Sequence, residues 1–407
     1  MEEVDVLVIG AGPAGTIAAS IIHQNGFRVK IIEKEKFPRF VIGESLLPRC
    51  MEALDEAKCL DAVKNYGFQE KFGAKFVKGS EICDFEFSDQ FTQGWSWTWQ
   101  VNRAEFDQIL ANEIQKQGVD IQFENEVQNI DFKTNEVITS IKNLEGKTAQ
   151  IKSKFIVDSS GYGRVIPRLL SLDRESTLPK RKTLFAHIKD PKRLDYDEPN
   201  RITIIIHTPT TWIWVIPFSN GVTSVGFVGD ISFFDKLDGL SPTEQLLNLI
   251  YSDSHLKERF ENAEFIFEPK TIVGWSITSE KFYGDGYVLT GNVTEFLDPV
   301  FSSGVTLATV SSQLAAHLVV KKMKGIEVDW EKEYMKPMLD GVDVFRTYIN
   351  AWYEGTLHEI FFAKNIDLDI KKQICSVLAG YVWDLTNPFV KKHKTILDTL
   401  VKVIRLN

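Results

Sequence analysis

The apolar and polar positions change period several times along the opening segment of the chain. Residues 4–9 are a near-continuous apolar run, the pattern of a strand buried on both faces. A glycine turn follows, then a helical stretch over residues 14–25 that Gly26 ends, then a second apolar run over 29–32. Strand, turn, helix and strand in that order predict one parallel βαβ unit. The alternation then lapses, because residues 74–87 and 203–228 read as strands tied by turn residues, which predicts an antiparallel layer. From about Asp329 the period is helical, through 334–353, 358–364 and 370–383. Residues 391–406 start basic and carry Ile396, Leu397, Leu400, Val401, Val403 and Ile404 at helical spacing, an amphipathic helix suited to a membrane surface but expected to dock on its own domain.

These elements predict an α/β protein: a Rossmann-like domain, an inserted antiparallel β-sheet domain and a C-terminal helical module. The expected spans are 1–80, 101–180 and 270–328 for the first, 81–100 and 181–269 for the second, and 329–407 for the third. A chain of 407 residues exceeds one comfortable core, so several domains are expected. Composition adds exclusions. With 43% hydrophobic and 25% charged residues, no long disordered span is expected. A net charge of −9 argues against a grip on nucleic-acid backbones. Cys50, Cys59, Cys83 and Cys375 show no C-x-x-C spacing and no secretory leader precedes the first strand, so reduced thiols, no metal site and a cytoplasmic setting are expected. No run of about 18 apolar residues occurs, so a transmembrane span is not expected.

The turn itself carries chemistry. Gly10, Gly12 and Gly15, with Pro13 and Ala14 between the last two, make a G-x-G-x-x-G between a predicted strand and a predicted helix. Gly10 permits the tight turn, Gly12 lets the backbone approach a pyrophosphate at the helix N-terminus, and Gly15 permits close helix packing. Glu33, with Lys34 beside it at the end of the next strand, would accept hydrogen bonds from the adenosine ribose. This fingerprint alone does not separate FAD from NAD.

Further segments do. Phe37-Pro38-Arg39, Gly43-Glu44-Ser45-Leu46-Leu47-Pro48, Val101-Asn102-Arg103, Asp158-Ser159-Ser160-Gly161 and the stretch from Gly291-Asn292 through Asp298-Pro299 to Ser302-Ser303-Gly304-Val305 together resemble the flavin monooxygenase and halogenase superfamily. The resemblance implies FAD, with Arg39, Ser45, Arg103, Asp158, Gly161, Gly291, Asn292, Asp298, Pro299, Ser303, Gly304 and Val305 among its contacts. Arg103 suits the ribityl and pyrophosphate oxygens. The 298–305 turn would offer backbone N–H groups to a reduced flavin or a halide. The family usually has aspartate where Asn292 stands. Losing that charge is expected to cost on the order of 1 kcal/mol of FAD affinity.

Trp212-Ile213-Trp214-Val215-Ile216-Pro217 is similar to the W-x-W-x-I-P signature of flavin-dependent halogenases. By alternation Trp212, Trp214 and Ile216 share one strand face, as a cavity wall or as core. Lys71 matches the halogenase lysine that relays hypohalous acid to the substrate, with Lys75 and Lys78 as neighbours. The resemblance thus implies Lys71, Glu44, Trp212 and Trp214 as the catalytic set. Residues 378–390 resemble halogenases acting on phenolic or carrier-tethered substrates, and Trp95, Trp97 and Trp99 are either a pocket lining or a buried strand.

The expected activity is therefore halogenase-like: reduced FAD and dioxygen oxidise a halide, which Lys71 conducts to an electron-rich small-molecule or carrier-tethered substrate. A second glycine fingerprint is absent, so a separate flavin reductase is the expected partner. The rival on the same fold hydroxylates its substrate directly or reduces an alkene, as related monooxygenases and geranylgeranyl reductases do. A non-catalytic flavin-binding sensor lacks supporting features, since no cysteine pair lies near the glycine loop.

Overall fold

The computed structural model describes residues 1–406. At its centre a six-stranded sheet runs Tyr283–Gly284, Tyr287–Leu289, Phe155–Asp158, Val6–Ile9, Val29–Ile32, Asp120–Gln122 in space. All neighbours are parallel except the first pair. Val6, Leu7 and Val8 are fully buried, as their unbroken apolar run requires of a strand covered on both sides. One side is covered by the helices Pro13–Gln24 and Ser303–Met323, which pack along each other. The other side carries a four-stranded sheet of Glu2–Glu3, Thr148–Ser153, Glu136–Asn143 and Asn125–Lys133, whose Ile130, Val137, Ile141 and Ile151 meet Leu7, Ile9 and Ile156. The sequence pattern did not reveal this layer.

Helix Ser303–Met323 is long and apolar enough to cross a membrane by length and composition, yet 78% of its most apolar window is buried within the domain. A search for unbroken apolar runs passes over it because serine, threonine and glutamine interrupt the pattern.

The second sheet orders Lys270–Val273, Arg181–Lys189, Val222–Asp230, Thr211–Pro217, Thr203–Thr208, Gly73–Lys78 and Glu81–Glu86. It is antiparallel apart from the pairing of Thr203–Thr208 with Gly73–Lys78. Its strands alternate, with one register shift between Ile206 and Thr208. Leu184, Ala186, Ile188, Ile213 and Val215 face a separate apolar core closed by the helix Pro242–Ser252, whereas Phe185, Trp212, Trp214 and Ile216 join the main core toward the first sheet. A boundary at residue 80 cuts the hairpin of Gly73–Lys78 and Glu81–Glu86, so both strands belong to this sheet. Thr98–Gln100 lies outside it and pairs with Gln69–Lys71.

The C-terminal module is helical, as its period predicts: Lys336–Tyr353, Thr356–Phe361, Leu368–Leu378 and His393–Leu406 are its main helices. The helix expected over 370–383 stops at Leu378, because Gly380 adopts φ 94° and turns the chain before Trp383. The last helix buries Leu397 and Val401 within the module and pairs Arg405 with Glu359 at 2.6 Å, which places it on its own domain as expected. The module also clasps residues 91–95. The Thr92 N–H donates to Ser376 Oγ at 2.9 Å, Thr92 Oγ1 to Asp384 at 2.7 Å, and the Tyr381 hydroxyl to the Trp95 carbonyl at 3.2 Å.

Candidate functional site

Val6–Ile9, Val29–Ile32, Phe155–Asp158 and Tyr287–Leu289 all point their carboxyl ends at one long cavity, the place where an open parallel sheet binds ligands. Gly10, Gly12, Pro13, Ala14, Glu33, Lys34 and Arg39 line one part of it. Gly10 has φ 97°, and a Cβ there would stand 2.6 Å from the Ser159 carbonyl oxygen. A Cβ on Gly15 would stand 1.9 Å from the Gly10 oxygen, so Gly15 packs behind the turn and does not line the cavity. Gly12 differs. A Cβ there meets nothing nearer than Arg39 Nη2 at 3.5 Å and would project into the open space, so the missing side chain leaves room for a ligand. Glu33 accepts the Ala11 N–H at 2.8 Å and the Glu35 N–H at 2.9 Å, which fixes its carboxylate at the strand end.

The middle of the cavity rests on a buried charge cluster. Asp107, fully shielded, accepts from Arg39 Nη1 at 2.9 Å and from Arg103 Nε and Nη2 at 2.8 and 3.0 Å. Arg103 also donates to the Ile42 carbonyl at 3.0 Å. It lines the cavity with most of its donors committed to protein, so it holds the 42–45 segment.

Gly161, Gly291, Asn292, Pro299, Gly304 and Val305 line the remainder together with Ser45. Three residues expected as contacts do not. Asp158 accepts the N–H groups of Ser160 at 3.0 Å and Ile166 at 2.7 Å, so it shapes the loop behind the cavity; burial pushes its carboxyl upward. Asp298 accepts the Val300 N–H at 3.1 Å and the Tyr353 hydroxyl at 2.9 Å, and burial raises its carboxyl to about 6. Ser303 is buried behind its neighbours, whereas Ser302 lines the cavity in its place. Ser302 sits at φ 57°, a left-handed conformation unusual for serine, and turns the chain into helix Ser303–Met323. Two helix N-termini, at Pro13 and at Ser303, thus open beside the same cavity with first-turn amides that their helices cannot satisfy.

Alternation puts three bulky side chains on one face. Trp212, Trp214 and Ile216 all line the cavity from one strand face and are nearly inaccessible from outside. Trp214 Nε1 donates to Ser224 at 3.0 Å, and its ring lies over the paired Gly226, where any Cβ would stand 2.2 Å from it. Trp95, Trp97 and Trp99 do not reach the cavity: Trp99 is buried in Thr98–Gln100, Trp97 stacks edge to face on it, and Trp95 stacks edge to face on Trp97.

Lys71 lies one hydrogen bond behind the lining. Its ammonium donates to Ser45 Oγ at 2.7 Å and the Leu46 carbonyl at 2.8 Å, 5.4 Å from the Phe87 ring centre. Burial lowers its pKa to about 7. Lys75 instead pairs with Glu198. Glu44 lines the cavity and meets His187 Nε2 at 2.5 Å, both nearly fully buried. Sequence reading missed His187, as it missed the cavity-lining Thr183, Ile272, Trp275 and Phe296. His187 and Thr183 share the alternation of Phe185 along one strand, the single signal that could have found them.

A family model described as FAD binding domain matches residues 3–245. A 1H-pyrrole-2-carbonyl-(peptidyl-carrier protein) brominase from Pseudoalteromonas luteoviolacea is 27% identical over 387 residues, spanning 93% of this chain and 92% of its own. The crystal structure of a flavoprotein/dehydrogenase from Cytophaga hutchinsonii superposes with TM-score 0.98 at 60% identity, over 100% of this chain and 99% of that one. The flavin-dependent brominase Bmp2 superposes with TM-score 0.84 at 25% identity, over 98% of each chain.

Proposed function

The chain belongs to the FAD-binding-domain family and is an FAD-dependent oxidoreductase, and from that premise we propose that its reaction is halogenation of an electron-rich substrate. The observation that carries this reading is the wall of Trp212, Trp214 and Ile216, set on the same cavity as the glycine turn and the 299–305 loop. The match to carrier-protein halogenases supports a carrier-tethered or free small aromatic substrate.

The residues present fit FAD. A side-chain-free approach at Gly12, two helix N-termini and the carboxylate of Glu33 answer a pyrophosphate and a ribose. Glu33, Arg39, Arg103, Ser45 and the 302–305 turn would hold it. When bound and reduced, FAD supplies with dioxygen the oxidising equivalents that convert halide to hypohalous acid; a separate reductase would provide the reduced form. The tryptophan wall keeps the substrate ring away from that oxidant. Hypohalous acid leaves the cavity past Ser45, whose hydroxyl already touches the Lys71 amine. A neutral amine displaces water from hypohalous acid, giving an N–halogen bond, and passes the halogen to the ring as the ring proton departs and the amine is restored. Burial keeps a substantial share of Lys71 neutral near pH 7.

The test is incubation with FAD, NADH, a flavin reductase, chloride or bromide, and a panel of phenols and pyrroles, with products read by mass spectrometry. Halogenated product supports the reading; hydroxylated or saturated product alone replaces it with the monooxygenase or reductase reading. The wall makes its own prediction. Trp214→Ala is expected to lower stability by about 3–5 kcal/mol through the cavity it leaves, and to raise hydroxylated product relative to halogenated product. An unchanged product ratio in a folded variant would show that the tryptophans only fill space.

A further inference from the structure

The sheet alone does not hold Trp212. Its Nε1–H donates to the Tyr353 hydroxyl at 2.9 Å, and that hydroxyl donates onward to Asp298 Oδ2 at 2.9 Å. The other oxygen of Asp298 accepts the Val300 N–H. Trp212 and Val300 both line the cavity, so a single tyrosine joins the tryptophan wall to the turn that enters helix Ser303–Met323.

Three features make this a built link. Tyr353 is the last residue of helix Lys336–Tyr353 and belongs to the C-terminal module, not to either sheet. Its hydroxyl spends its one hydrogen on Asp298 and a lone pair on Trp212, so each end of the link depends on the same oxygen. The guanidinium of Arg181 stacks 3.7 Å from the ring centre and is itself held by Asp230, which fixes the plane of the ring.

We propose that Tyr353 is a positioning residue for the reaction: it sets the Trp212 indole against the Asp298–Val300 turn, and through it the helical module controls whether the oxidant formed in the cavity reaches halide or is lost. The activity part of this proposal rests on the halogenase reading; the positioning part does not.

The test uses holoprotein reconstituted with FAD in four forms: wild type, Tyr353→Phe, Trp212→Phe and the double variant. Phenylalanine keeps the ring that Arg181 covers and removes only the shared oxygen. Nearby tryptophan quenches the fluorescence of oxidised flavin by electron transfer, with a steep dependence on distance, so the decay time of bound FAD reports where Trp212 stands. Tyr353→Phe is expected to change that decay by about twofold or more, and to have no further effect once Trp212 is phenylalanine, the signature of two residues acting as one unit. With NADH, reductase and bromide, halogenated product per NADH should fall about tenfold and released peroxide should rise. A decay unchanged by Tyr353→Phe, or effects that simply add in the double variant, would overturn the proposal. If the wild type makes no halogenated product, the halogenase reading fails while the decay cycle still decides the role of Tyr353. Should Tyr353→Phe fail to retain FAD, Asp298→Ala breaks the far end of the link with tyrosine in place. A shifted decay there supports the link, and an unshifted one refutes it.

Discussion

Replacing Lys71 with methionine is expected to cut halogenated product about a thousandfold or more while making the protein harder to melt. The two effects share one cause. Lys71 is fully enclosed and pairs with no carboxylate, only with Ser45 Oγ and the Leu46 carbonyl. Burial lowers its pKa from 10.5 to about 7. Below pH 7 the amine is protonated in folded and unfolded chains alike, and the folded state carries the whole cost of a buried charge. Between pH 7 and 10.5 the folded chain binds fewer protons than the unfolded one, so this group lets stability rise with pH. At about 1.4 kcal/mol per pKa unit the ceiling is near 5 kcal/mol, and the two lost hydrogen bonds reduce the expected gain to about 1–3 kcal/mol. The gain should be full below pH 7 and shrink toward pH 10. Calorimetry of the two proteins at pH 6 and 9, beside product analysis, checks both halves. A methionine variant that melts lower at pH 6 would mean the ammonium is better solvated than its surroundings indicate; one that still halogenates would remove Lys71 from the reaction.

Gly15→Ala is expected to weaken FAD binding about a hundredfold or more, close to 3 kcal/mol. The added carbon would stand 1.9 Å from the Gly10 oxygen, where anything under 3.0 Å forces movement. Gly10 has nowhere to go. Its N–H is bonded to the Ile32 carbonyl at 2.8 Å, and it already lies against Ser159. The displacement therefore passes into the turn proposed to receive the pyrophosphate. Gly12→Ala offers the contrast, because its Cβ fits the protein and would intrude only on the proposed pyrophosphate space. The melting temperature without FAD should drop for Gly15→Ala and stay for Gly12→Ala, with affinity reduced in both by flavin-fluorescence titration. Wild-type affinity in the Gly15 variant would mean the turn has been misassigned.

The glycine turn was legible because Gly10 adopts φ 97° and Gly15 packs on the Gly10 oxygen, two constraints local to the strand, turn and helix that the motif spans. The shared face of Trp212, Trp214 and Ile216 was legible because a strand fixes its faces by parity. Asp158, Asp298 and Ser303 do not line the cavity, since a motif records which residues shape a loop without recording which of them face the open space. Asp158 and Asp298 spend their oxygens on backbone N–H groups behind the surface. The layer of Asn125–Lys133, Glu136–Asn143 and Thr148–Ser153 escaped notice because it buries one face only, and Thr148–Ser153 contributes just Ile151 and Ser153 to that face. Glu44 with His187, and Trp212 with Tyr353, lie 143 and 141 residues apart in the chain, and no periodicity reaches that far.

The alternation of the second sheet bears on how such a protein diversifies. Deleting one residue within Arg181–Lys189 would turn Leu184, Ala186 and Ile188 toward the cavity and carry Phe185 and His187 into the apolar core beneath the helix Pro242–Ser252. Descendants of this chain can therefore change the cavity by replacing one cavity-facing side chain at a time, while insertions and deletions accumulate at the turns 209–210 and 218–221. Shifts in substrate range along such a lineage should track single substitutions at cavity-facing positions, with strand lengths held constant.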